Sequence, residues 1–94
     1  MQLYLGKLEG KFMKQEAVKD LGICKNIAAL RRKAGLTQEY VAIQMQTMGI
    51  NMSRSRFSMI ELGRLRLSIS MLAALKVILK CSYDDLLNGL EAKL

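Results

Sequence analysis

Four consecutive residues, Ser53-Arg54-Ser55-Arg56, concentrate small hydroxyls and guanidinium groups at the start of a short helical pattern. Such residues are poor core material. They suit a helix tip presented to a polyanion, since guanidinium forks match phosphates and the acceptor edges of bases. Other chemistry finds little material here. The chain has no histidine, no phosphate-cradling glycine loop and no pair of inward carboxylates, so the usual acid–base and nucleophilic arrangements are missing. Asp84-Asp85 reads as the acidic first turn of a helix. Cys24 and Cys81 fit no metal-ligand spacing, so no metal and no cofactor are expected, and both thiols should be free in a reducing compartment.

The charge map agrees with a polyanion partner. Lys25, Arg31, Arg32, Lys33, Arg54, Arg56, Arg64 and Arg66 face only Glu39 and Glu61, so this window carries +6 of the net +7. A localised cationic field points to nucleic acid or an anionic membrane surface, the alternative being an ordinary solvated basic face. A membrane binder should show cations flanking an apolar helix face. Here the arginines gather instead at helix ends around a turn. No apolar run approaches a membrane span, and MQLYLGKLEGKF lacks a secretory h-region, so a cytoplasmic protein is expected.

Several helices must position these groups. Ninety-four residues, half of them apolar and none of them proline, fit one small all-α core. Residues 1–19 read as an N-terminal arm, with Met13 an alternative start, and 20–94 as the folded domain. Ile23, Ile27, Leu30 and Ala34 mark one face of a first helix from Asp20 or Leu21, stopped at Gly35. Thr37 should cap a second helix with Val41, Ala42 and Met45 inward, ending before Gly49. Ser53 should cap a third, burying Phe57 and Ile60 and ending at Gly63. Ser68 or Ser70 should cap a fourth through about Leu79. Its apolar residues Leu72, Leu75, Val77, Ile78 and Leu79 predict burial on more than one side. Ser82 opens a short fifth helix carrying Leu86 and Leu87, and 89–94 reads as a tail.

The order of these features carries a resemblance. An arginine-rich end of helix one is followed by Gly35-Leu36-Thr37-Gln38-Glu39, Ala42, Ser53-Arg54-Ser55, Ile60-Glu61-Leu62-Gly63 and Tyr83-Asp84-Asp85-Leu86-Leu87-Asn88-Gly89. Over roughly Ile23 to Leu90 the chain resembles the phage-repressor and Cro-like (XRE-type) helix-turn-helix family. The resemblance implies an all-α, five-helix, lambda-repressor-like DNA-binding domain whose third helix lies in the major groove. It implies base contacts by Arg54, Ser55 and Met59, Arg54 as a bidentate guanine reader and Met59 through apolar contact, for instance with a thymine methyl. It implies phosphate contacts by Gln38, Arg64 and Arg66. Arg56 is placed with them, a base contact or plain solvation being the alternatives. Arg31 and Glu61 match a structural ion pair docking helix three on helix one.

The chain departs from the family pattern in three places. Ala42 to Phe57 is five residues longer than usual, the excess falling in 46–52. Leu62 replaces a common asparagine and removes one candidate phosphate contact. Proline is missing after Gly63.

The function implied is a sequence-specific transcriptional regulator, a repressor by preference. It would bind double-stranded DNA as a homodimer, with no membrane partner. Leu86, Leu87 and Leu90 would form a dimer surface or cap the core. The alternative is an antitoxin that binds a toxin protein and represses its own operon. Catalysis is not expected.

Overall fold

The structure, a computed structural model, describes residues 21–90. The expected arm at 1–19, a helix start at Asp20 and the tail beyond Leu90 lie outside the described residues. Those residues are all-α. Five helices follow in order, α1 (Leu21–Lys33), α2 (Gln38–Thr47), α3 (Arg54–Glu61), α4 (Ile69–Ile78) and α5 (Tyr83–Leu86), with no strand among them. None of these helices is long and apolar enough to cross a membrane.

Each helix end has a local cause. Thr37, Ser53 and Ser68 are extended N-caps whose hydroxyls accept from the backbone N–H three residues on, which satisfies a donor that the helix start leaves orphaned. Ser68, not Ser70, therefore opens α4. Ser82 and Asp85 form a reciprocal capping box at α5. Hydrogen bonds from Ser82, backbone first and then side chain, hold the Asp85 carboxyl below its ordinary range.

At the C-terminal ends, α1 closes with Leu36 N–H donating to Arg31 C=O at 3.1 Å and Gly35 N–H to Arg32 C=O at 2.9 Å. This double bond pattern needs a left-handed residue after the helix, and Gly35 supplies it with φ +73°. At α4 the same role falls to Lys80, at φ +52° the one non-glycine residue with positive φ among those described.

One core joins the helices. Ile27 of α1, Val41 and Met45 of α2, Phe57 and Ile60 of α3, Leu75 of α4 and Leu86 of α5 are all fully buried. α2 packs on α3 and α4, and α1 packs on α3 and α5. Buried Ala42 presents only a methyl group within this core. Asn26 ties α1 to the far end of the chain, its amide Nδ2 donating to the carbonyls of Leu86 and Asn88 at 2.8 Å each.

One apolar expectation fails, and an alternative left open at Leu86 is decided. α4 buries Ala74 and Leu75, with Leu79 just beyond, but Val77 stays 60% exposed and Ile69, at its start, 82% exposed. The helix is apolar nearly all round, yet its neighbours cover only one side. Leu86 is wholly buried, so it caps the core and offers no dimer surface, whereas Leu87 beside it is exposed.

The residues in excess between Ala42 and Phe57 are shared between helix and turn. α2 stays helical through Thr47, and 48–53 connect it to α3. That connection folds back on itself. Met52 is buried in the core, Ile50 is half-buried against it, and Gln46 Nε2 donates to the Met52 carbonyl at 2.6 Å.

Candidate nucleic-acid interface

α3 divides into two faces. Phe57 and Ile60 point into the core, whereas Arg54, Ser55, Arg56 and Met59 are exposed. The Ser53 cap sets where the helix begins, so the two arginines fall in its first turn. Exposed Arg64 and Arg66 follow beyond Gly63. The Arg64 N–H donates to Met59 C=O at 2.8 Å, which folds the chain sharply at the end of α3 and keeps these cations close to the helix they follow.

The far end of α3 is clamped. Arg31 of α1 donates to Glu61 through Nε to Oε2 at 2.6 Å and through Nη2 to Oε1 at 3.1 Å. The two side chains are 12% and 5% exposed. The remaining Arg31 nitrogen, Nη1, donates to the Leu36 carbonyl at 2.8 Å, just before α2. Gln38 completes the group, its Nε2 donating to Glu61 Oε1 at 2.8 Å. A nearly buried carboxylate thus receives three hydrogen bonds, two of them from the Arg31 guanidinium, and is well satisfied. One residue of α1 thus ties the approach to α2 to the end of α3.

Above this clamp lies an open cleft of about 530 Å³ lined by Arg31, Leu36, Thr37, Gln38, Glu39 and Arg54. It sits at the N-terminal end of α2, where free backbone N–H groups and the helix dipole favour an anion. Arg54 on its wall adds a full positive charge. Glu39 on the same wall opposes it, and Arg31 is already paired with Glu61, so the formal charges around the cleft balance and its pull on an anion rests on Arg54 and the free N–H groups of the α2 end.

The structure therefore groups the residues singled out in the sequence into two neighbouring sets. Gln38 and Arg54 share the cleft, while Ser55, Arg56 and Met59 lie on the open face of α3. Gln38 uses one amide hydrogen on Glu61 and retains the other. That bond had no sequence signal, because the separation of 23 residues follows from how α1, α2 and α3 pack. Glu39 as a cleft residue was also missed, as was the exposure of Leu62.

Among the described residues no three His, Cys, Asp or Glu side chains gather in a way that could hold a metal ion. Cys24 is buried and Cys81 half-buried, both as free thiols. Burial first, and Asp85 second, push the Cys81 thiol up, away from the thiolate form that reacts. Comparison with protein-family models, with curated proteins and with solved structures found no match for this chain.

Proposed function

We propose that this chain is a lambda-repressor-like helix-turn-helix protein of the phage-repressor and Cro-like (XRE-type) kind. It reads double-stranded DNA in sequence-specific fashion and regulates transcription, by preference as a repressor. The observation that carries this is the division of α3. Its open face starts with exposed Arg54, Ser55 and Arg56, while its other end is locked to α1 through Arg31 and Glu61. A rigid helix with a cationic tip is what major-groove docking requires. Arg54, Ser55 and Met59 contact bases. Gln38, Arg56, Arg64 and Arg66 hold phosphates, Gln38 from the cleft at the α2 end. The protein acts in the cytoplasm as a homodimer on two half-sites about one helical turn apart. It performs no catalysis.

The antitoxin reading keeps one specific observation in its favour. Ile69 and Val77 leave apolar surface on α4, on the side away from its core contacts, and a protein partner could cover it.

Selection of bound duplexes from a random pool, at stated salt, tests the proposal. A palindromic enriched site is expected, with affinity falling linearly in log–log form as salt rises. Failure to enrich any duplex at low ionic strength overturns it.

A further inference from the structure

The open face of α3 is longer and more apolar than its cationic tip suggests. At 3.6 residues per turn, Ser55, Met59 and Leu62 fall within about 60° of one another around the helix. Phe57 and Ile60 occupy the opposite side and are wholly buried. Leu62 follows the last helical residue with φ −82° and ψ −3°, so it prolongs the same surface. Met59 is 40% exposed and Leu62 59% exposed. Arg54 and Arg56 flank the beginning of this strip, and Arg64 and Arg66 follow its end, all four exposed.

Resting on the DNA-binding reading above, we infer that Met59 and Leu62 form a methyl-reading strip that makes the target site depend on thymine at neighbouring base pairs. The C5 methyl of thymine is the apolar group that a major groove displays, and only apolar side chains pair with it well. An apolar strip bracketed by four cations fits a polyanion that carries methyl groups between its phosphates. It fits an apolar protein surface less well, because such a partner would have to desolvate or neutralise all four charges. Met59 and Leu62 are three residues apart, about 4.5 Å along the helix, close to the roughly 3.4 Å rise between bases on one strand. Leu62 therefore gains an apolar contact to a base where it forgoes a phosphate bond.

The test uses the duplex recovered by selection from a random pool. Each thymine is replaced in turn by deoxyuridine, which deletes the methyl and leaves the hydrogen-bonding edge intact. The unaltered protein is expected to lose about fourfold in affinity at one or two neighbouring positions per half-site, the value of one buried methyl. Met59→Ala and Leu62→Ala should each bind the thymine duplex more weakly and no longer distinguish thymine from deoxyuridine at one of those positions. Equal binding of every deoxyuridine duplex by the unaltered protein overturns the inference while leaving DNA binding standing. Full methyl sensitivity in both variants overturns the assignment to these side chains and leaves the strip to a protein partner. Recovery of no duplex at all defeats the parent reading, a result distinct from either. The deoxyuridine series needs no altered protein, so it is independent of whether a variant folds.

Discussion

Arg54 and Gln38 share a cleft, but their bonding differs, and so should their loss. Arg54 is exposed and forms no ion pair among the described residues, so Arg54→Ala should leave folding intact. It should weaken specific binding by about 1–3 kcal/mol and relax preference at one base position per half-site. Gln38→Ala should weaken specific and random DNA alike. It should also lower stability by about 0.5–1.5 kcal/mol, because its amide serves Glu61 within the protein. Titration of both variants against the selected site and a scrambled duplex separates the roles. An equal loss for Arg54→Ala on both duplexes would remove it from the base readers. At this scale the sequence was informative about identity and blind to partners. The alternation of exposed Arg54, Ser55, Arg56 with buried Phe57 and Ile60 was readable from helical spacing. The third hydrogen bond on Glu61 was not, because it arises only when two distant helix ends meet.

Helix ends were the most legible elements, since caps are local chemistry. Thr37, Ser53 and Ser82 open helices where hydroxyl-bearing residues precede an apolar repeat, and Gly35, Gly49 and Gly63 take the left-handed backbone that closes them. α4 was the least legible. Its composition said how much apolar surface it has but not how much of it the neighbours reach, so Val77 was misplaced. Its end holds the one position among those described where local preference is violated. Lys80 takes the left-handed backbone at φ +52°, at a cost of about 1–2 kcal/mol for a residue with a Cβ. Its N–H and that of Cys81 donate to Val77 and Lys76 carbonyls at 3.2 Å each, and the side chain is exposed. Lys80→Gly should keep those bonds and relieve the strain. Allowing for the greater freedom of an unfolded glycine, it should stabilise the domain by about 0.5–1 kcal/mol in a urea melt. A loss of stability would mean that the lysine side chain supports the turn.

At the scale of the whole molecule, the all-α class of the described residues followed from composition and periodicity, and the relation between helices did not. Nothing local to Asn26 announces that its amide spans 60 residues to hold the end of α5. The Arg31–Glu61 pair is where the relation between helices is most exposed to test. Arg31→Met should cost about 3–5 kcal/mol by leaving a nearly buried carboxylate without its cation. Arg31→Met combined with Glu61→Leu should recover much of that loss, since two apolar residues can replace a buried pair. Chemical denaturation of the two variants provides the check, and a double variant no better than the single one would contradict the account. The reach of Arg31 has a wider consequence. α3 spans only eight residues, too few to stay helical alone in water, and its last residue hangs from the closing turn of α1. Any fluctuation that frays α1 at Arg31 therefore unfastens the surface proposed to read DNA as well. The two segments should exchange their amide hydrogens as one cooperative unit, so that a bound duplex, by holding one, quiets the other.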